Sequence, residues 1–484
     1  MRRATAGVAL GALLCVSARV RAAEVETLRQ AGAADKRFNI AVLGDGYRTE
    51  DQAKLLTDAT AIVDYLFTVK PLQQYAQFFN VKLVHVVSRD NGADNGSYGA
   101  QRDTALDSNF NCGGIERLLC VNQGKAQAAA VADVPEVNFV MVLVNDPKYG
   151  GSGGAICAAS SNEQSFEILA HEIGHSLASL ADEYSYDGGI APCDAQNDCN
   201  EANVTMRNQR DQIKWKDWID AATPVPTPAM QQYASVIGLF DGARYVSTGV
   251  YRPALNCKMR DLGTDYCSVC TEQFVRSIWT SENIQMVEAA MPAQPSVQSD
   301  NCDDLHFSVT TPTITPSTYH YVWSVDGQMQ AETTSAIALS PATLMQGQHQ
   351  VSVAIADATA LVRSDPDGVL KDQHSWTVSV SRSDCQPGGS GGAAGGGVAS
   401  APSSGASGAP MSGAGTAGAG LGGVGGSAGV VASAAAGLVP VTAPPPRDAS
   451  GCACVLPASS PDGSRSLLSL GALGLASLWR RRRR

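Results

Sequence analysis

Apolar residues in the first third of the chain fall into short runs, Phe38–Leu43, Phe79–Val87 and Asn138–Val144, the last being the most continuous. Runs of this length read as strands buried on both faces. Gly44-Asp45-Gly46 breaks the first of them. Thr49 and Gln52 then cap a helix that carries Leu55, Leu56, Ile62, Val63 and Leu66. Strand, helix and strand in that order predict a crossover unit and a largely parallel sheet. A second helical pattern starts at Ser161 and Gln164, which have capping-box spacing. Phe166, Leu169, Ile173 and Leu177 give it a buried stripe. The glycine-rich loop Tyr149–Gly154 ahead of it lacks the Lys-Ser/Thr ending of a phosphate loop and reads as a mobile rim of a cleft.

After residue 300 the period changes to two. Tyr319–Val325, His349–Ile355 and His374–Val380 alternate apolar with polar positions, and Asp326-Gly327 is a hairpin signal. Short strands without a long helix predict a small all-β immunoglobulin-like sandwich. From Gln386 to about Ala449 the chain is Gly, Ala, Ser and Pro with almost no charge. Such a composition builds no core and reads as a disordered tether. At the start, Arg2 and Arg3 precede an apolar run from Ala4 to Ala18, and Val20-Arg21-Ala22 offers a small-residue cleavage pattern, as in a secretory signal peptide. The expected partition is a signal peptide at 1–22, an α/β (α+β) domain at 23–290, the sandwich at 300–385, the tether at 386–450 and a C-terminal segment at 451–484.

Length and charge narrow the function classes. A chain of 484 residues can hold more than one domain. Its net charge of −11 becomes more negative once the arginines of the leader and the C-terminus are set aside. An acidic surface excludes nucleic acid as the expected partner and fits an exported protein, read as a monomer. The 13 cysteines occur in even numbers per region after Cys15, which in an exported chain predicts disulfides. Cys302 and Cys385 would staple the ends of the sandwich. Cys267-x-x-Cys270 has the spacing of half a structural zinc site, but no second such pair accompanies it, and disulfides are the expectation there too.

The chemistry is carried by residues 171–184. His171 and His175 are four apart on a helix, so both imidazoles leave one face. Two nitrogens so placed reach one Zn²⁺, and Glu172 beside them can take a proton from bound water. Of the seven histidines, only these two lie between residues 86 and 305. A third ligand is therefore expected to be a carboxylate. Asp182 is the first choice and Glu183 the alternative, provided the helix breaks near Ala178–Ala181. His85 reads as a satisfied core residue. A second oxyanion donor is also expected, with Tyr184, Tyr251 and Arg260 as unranked candidates. The loop Asp90–Gly96 offers acidic groups for Ca²⁺, but its spacing fits an ordinary turn-rich loop better.

His171-Glu-Ile-Gly-His-Ser-Leu-Ala-Ser-Leu-Ala-Asp-Glu-Tyr184 resembles the active-site signature of the bacterial IgA-peptidase family of zinc metallopeptidases. The resemblance extends to Leu43-Gly-Asp-Gly-Tyr-Arg48, Phe79-Asn-Val81, Val144-Asn-Asp146, Tyr149-Gly-Gly151, and Tyr251-Arg-Pro253 through Met259-Arg260. It implies a metzincin-like fold, with a twisted sheet and active helix above and a methionine turn, matched by Met259, beneath the zinc. Two departures stand out: Ala178 replaces the helix-ending glycine of the wider metzincin pattern, and Asp182 falls one place after the position of its third histidine. Between Tyr184 and Met259 lies an insertion with Cys193 and Cys199, expected to shape the cleft.

At the other end, Gly451-Cys-Ala-Cys454, the apolar run Leu467–Trp479 and Arg480–Arg484 resemble the C-terminal sorting tags of myxobacterial surface proteins. That likeness implies processing near Cys452 or Cys454 and attachment to the envelope by its sorting machinery or membrane. A plain tail-anchor is the alternative. The expected function is a secreted, cell-surface-tethered zinc endopeptidase acting on extracellular proteins or glycoproteins. Two alternatives stay open: a surface adhesion protein with a non-catalytic zinc site, and a zinc amidase acting on cell-wall peptides.

Overall fold

A computed structural model describes residues 24–96, 99–186, 193 and 196–382 of the chain. The expected leader and tether and the C-terminal segment with Cys452 and Cys454 lie outside the described residues, as does Cys385. The architecture is mixed α/β, with several sheets and few helices.

The first sheet is built from β1 (Val25–Arg29), β2 (Phe38–Asp45) and β3 (Phe79–Val84), with α1 (Gln52–Leu66) crossing between the last two. A two-stranded ribbon follows, β4 (Asp94–Asn95) with β5 (Asn109–Phe110), and then α2 (Gln123–Asp133) leads into β6 (Phe139–Val144). Strands β7 (Gly151–Ser152) and β8 (Ile156–Ser160) complete the sheet in the order β1-β3-β2-β6-β8-β7. Its four inner strands are parallel and both edge strands antiparallel. The crossover expectation holds, with two differences. β2 continues through Gly44 to Asp45, because Gly44 leaves room for Leu55 of α1: a Cβ there would meet Leu55 at 2.6 Å. At the start of α1, Thr49 makes no cap, and Asp51 Oδ2 accepts the Arg48 backbone N–H at 3.2 Å.

The central helix α3 spans Phe166–Ala178 and is buried along most of its length. Leu169, Ile173 and Leu177 are buried as expected, while Phe166 is half-buried. Its cap lies one residue beyond the expected Ser161. Ser161 Oγ donates to Asp146 O, and Asn162 accepts the Gln164 N–H at 3.0 Å. The helix stops at Ser179, which adopts a left-handed conformation (φ 50°) and turns the chain back, within the stretch where a break was required. Beyond it come β9 (Ser185–Tyr186), β10 (Phe240–Ala243), β11 (Tyr245–Arg252) and α4 (Ser268–Thr280), with the first three forming one small sheet. α3 and α4 pack on each other, with Ala170, Ile173, Cys270 and Phe274 in one buried cluster that Tyr266, just ahead of α4, also joins.

Two further sheets face each other after α4. One contains β12 (Ala289–Met291), β14 (Leu305–Thr310) and β17 (Ala336–Leu339). The other contains β13 (Ser296–Ser299), β15 (Tyr319–Val325), β16 (Gln328–Met329), β18 (Gly347–Asp357) and β19 (Lys371–Val380). Phe307, Trp323 and Trp376 fill the space between them. Asp326 and Gly327 both take positive φ in the β15–β16 hairpin, as that dipeptide predicts. The pairing begins at Ala289, so the two sheets recruit residues ahead of position 300.

Cysteine use departs from expectation. Cys112–Cys120 and Cys193–Cys199 are bonded, and Cys302 is disulfide-bonded, but Cys157, Cys257, Cys267 and Cys270 are free thiols. An even count did not imply full pairing, because the last three sulphurs meet one another and a carboxylate rather than a single partner each. Among the described residues no helix is long and apolar enough to cross a membrane.

Candidate metal centre

Helical spacing delivers His171 and His175 side by side, with Nε2 atoms 3.1 Å apart. The turn at Ser179 then folds Asp182 back, so that its Oδ1 lies 3.0 Å from His171 Nε2 and 3.2 Å from His175 Nε2. On the far side of each ring, Nδ1 faces a backbone carbonyl: Lys258 O at 2.8 Å for His171 and Leu180 O at 2.6 Å for His175. A carbonyl only accepts, so each Nδ1 carries a proton, and in the neutral tautomer each ring turns a lone pair at Nε2 toward the other and toward Asp182. Two lone pairs and a carboxylate oxygen at such separations repel unless a cation sits among them.

The donor set fits a metal ion. Edges of 3.0–3.2 Å are close to the roughly 3.3 Å expected for one face of a tetrahedron with metal–ligand bonds of about 2.0 Å. Electrostatics agree. Burial alone would lower both imidazoles, yet the hydrogen bonds to Asp182 outweigh it, raising His171 and pushing His175 up to about 9. Burial would raise Asp182, but the same two rings hold it well below the usual carboxylate range.

The surroundings fix these groups. Glu172 is fully buried, with Oε2 4.0 Å from His175 Nε2. The glycine-rich loop lies directly over it: a Cβ on Gly153 would stand 1.5 Å from Glu172 Oε2. The loop is thus a close cover for the carboxylate, with β7 pairing it to the sheet edge. Met259 is fully buried beneath α3, opposite Gly174, and its carbonyl accepts the Glu183 N–H at 2.7 Å. Lys258, whose carbonyl orients His171, is buried and paired with Glu167 at 2.6 Å.

The remaining candidates are placed differently. Glu183 points away from the histidines, toward Cys257, Cys267 and Cys270. Tyr184 is buried, its ring beside those of Tyr186 and Tyr245 and its hydroxyl hydrogen-bonded to Asp182. Tyr251 packs in a separate apolar cluster with Ile213 and Trp215. Arg260 donates to Glu183 O at 3.4 Å and pairs with Asp261. His85 lies between Glu26 and Gln52, 2.8 Å from each. In the acidic loop, Asp90 and Asp94 accept the backbone N–H groups of Asp103 and Arg102, as turn residues do.

Two participants escaped sequence reasoning. Tyr245 donates its hydroxyl to Asp182 Oδ2 at 2.5 Å from a position 63 residues downstream. Asn203 accepts the Ala181 N–H and donates to Ala181 O, both at 2.8 Å, and thereby holds the turn that carries Asp182. Neither belongs to a motif, and only the fold of the insertion brings them in.

A model of the family described as IgA Peptidase M64 matches residues 26–233 and 229–278, which covers the sheet, α3, the Asp182 turn, Met259 and α4. The chain belongs to the IgA Peptidase M64 family. Membership makes this M64 chain a peptidase and implies a metal, for which the site above supplies the donors. No curated protein matches the chain. Among solved structures, the M64 chain matches the fibronectin(III)-like modules of Clostridium thermocellum CbhA at 16% identity over 19% of this chain and 91% of that one, with a TM-score of 0.13. It also matches the endo-beta-1,4-mannanase from Thermotoga petrophila at 9% identity over 71% of this chain and 65% of that one, with a TM-score of 0.14.

Proposed function

We propose that this M64 chain is a zinc-dependent endopeptidase of metzincin-like architecture, exported, tethered at the cell surface and directed at extracellular proteins or glycoproteins. The single observation that carries the reading is the triangle of His171 Nε2, His175 Nε2 and Asp182 Oδ1 with the buried Glu172 carboxylate beside it. Two imidazoles and one carboxylate suit Zn²⁺ and leave a fourth position open. A bound zinc supplies Lewis acidity, acidifying a water and polarising a peptide carbonyl.

The protein's own groups do the rest. Glu172 receives the proton of the attacking water on a carboxylate oxygen and passes it to the leaving amine. Burial under Gly153 keeps that carboxylate in one place and away from bulk solvent. The Lys258 and Leu180 carbonyls hold the imidazoles in the metal-binding tautomer. Export and tethering rest on the leader and the tripartite C-terminal segment, and the two facing sheets after α4 support an immunoglobulin-like module packed on the catalytic unit.

Cleavage-site profiling of purified protein against a mixed protein substrate tests the reading. Cleavage should fall by about 10²–10⁴-fold in Glu172→Gln, the usual worth of a general base, while metal content stays at the wild-type level. Chelator should abolish cleavage and added Zn²⁺ restore it. Undiminished cleavage by Glu172→Gln would remove Glu172 as the base, and absence of cleavage by the wild type would remove the enzyme reading and leave the adhesion alternative.

A further inference from the structure

A second set of ligand-type side chains lies on the other side of the Asp182 turn. Cys257, Cys267, Cys270 and Glu183 bring four buried donor atoms within 4.8 Å of one another. Cys257 Sγ and Cys270 Sγ are 3.6 Å apart, and Cys270 Sγ is 3.2 Å from Glu183 Oε1. Around one Zn²⁺, with Zn–S of about 2.3 Å and Zn–O of about 2.0 Å, tetrahedral corners are separated by about 3.8 Å for S···S and 3.5 Å for S···O. A disulfide needs about 2.0 Å. Three cysteines pairing among themselves would also strand one thiol.

Glu183 adds an independent indication. Its side chain is fully buried, Oε1 accepts from Asn203 Nδ2 at 2.9 Å, and Oε2 has no hydrogen-bond partner. An orphaned carboxylate oxygen in the interior is expensive unless a cation meets it. Arg252 is buried nearby and attracts Glu183, and Arg260 donates to the Glu183 carbonyl.

We propose that Cys257, Cys267, Cys270 and Glu183 form a second, structural zinc site, closed to water and distinct from the His171–His175–Asp182 centre. Soft thiolates favour Zn²⁺ over Ca²⁺ or Mg²⁺, and binding releases the thiol protons to solvent. Its four ligands come from three segments that all serve the first site. Glu183 follows Asp182, Cys257 precedes Lys258 and Met259, and Cys267 and Cys270 open α4. One ion would thus clamp the third-ligand turn and the methionine turn onto the helix that backs α3.

Metal analysis of the purified full chain, with zinc-edge X-ray absorption, tests this. Wild type should carry two zinc equivalents with sulphur in the coordination shell. His175→Ala should keep one equivalent, now sulphur-rich. Cys270→Ser should lose one equivalent; should that variant fail to fold, the absorption spectrum of the wild type and of His175→Ala decides alone. One zinc in wild type with no sulphur scattering, or a Cys257–Cys270 disulfide in peptide maps of unreduced protein, would overturn the proposal. One sulphur-bound zinc in both wild type and His175→Ala would uphold it and sink the catalytic-zinc reading instead.

Discussion

Tyr245 shows how much of the site rests on a residue outside any motif. Its hydroxyl holds Asp182 Oδ2 at 2.5 Å, which turns Oδ1 toward the two imidazoles. Groups that orient a ligand from behind typically contribute 10–100-fold to metal affinity. Tyr245→Phe keeps the ring stacked on Tyr186 and packed on Tyr184 and removes the hydrogen bond to Asp182. The variant should bind zinc about 10–100-fold more weakly, as read by chelator competition, and recover cleavage when zinc is raised. Loss of cleavage that no zinc concentration restores would mean that the hydroxyl acts on substrate rather than on Asp182. Glu183 makes the complementary point. Adjacent to Asp182 and also acidic, it stood as the alternative third ligand in the sequence, and a single turn of backbone sends the two carboxylates to different clusters.

At the scale of elements, the active helix was legible because its apolar stripe, its paired histidines and its break all lie within 24 consecutive residues, 161–184. The parallel strands β2, β3 and β6 were legible as apolar runs, and the alternating strands β15, β18 and β19 as a period of two. α2 was not. Its run Gln123–Asp133 is rich in alanine and buries only Ala126 and Ala130, so it offers little periodic contrast. β1 and β8 are five residues each and owe their state to pairing with neighbours rather than to their own pattern. Free thiols at Cys257, Cys267 and Cys270 were hidden for a related reason, since a count of cysteines carries no distances. The fit between elements yields a prediction too. A Cβ on Gly174 would lie 2.8 Å from Met259 Sδ and 2.9 Å from Tyr266 Oη, both in the packed layer under α3. Gly174→Ala gains helix propensity but must push that layer away, and overpacking of this kind costs about 1–3 kcal/mol. Denaturant unfolding should show net destabilisation. A gain in stability would mean that the methionine turn yields freely.

Across the whole molecule, the two facing sheets are bonded into the peptidase body rather than strung behind it. Asp357, buried at the end of β18, accepts hydrogen bonds from Tyr75 Oη at 2.7 Å and Trp279 Nε1 at 2.9 Å, both from the body, and from Thr318 Oγ1 within its own sheets. Nearby, Glu272 of α4 accepts from Trp218 Nε1 and from the Arg363 backbone, while Arg363 covers the Trp218 ring at 4.1 Å. A contact of this kind, apolar in the middle and pinned by a buried carboxylate, couples the unfolding of its two sides. Asp357→Ala leaves buried donors on both sides of the contact without an acceptor, at about 1–3 kcal/mol for each one stranded. Calorimetry should therefore show the whole described body losing several degrees of Tm in one shifted transition, with cleavage failing at the same lowered temperature. If the mutation instead split the trace, with cleavage surviving to the wild-type temperature while a second component melted early, the two sheets would be a passive passenger. A single shifted transition would make them part of the scaffold that holds α4, and through α4 the helix that carries both histidines.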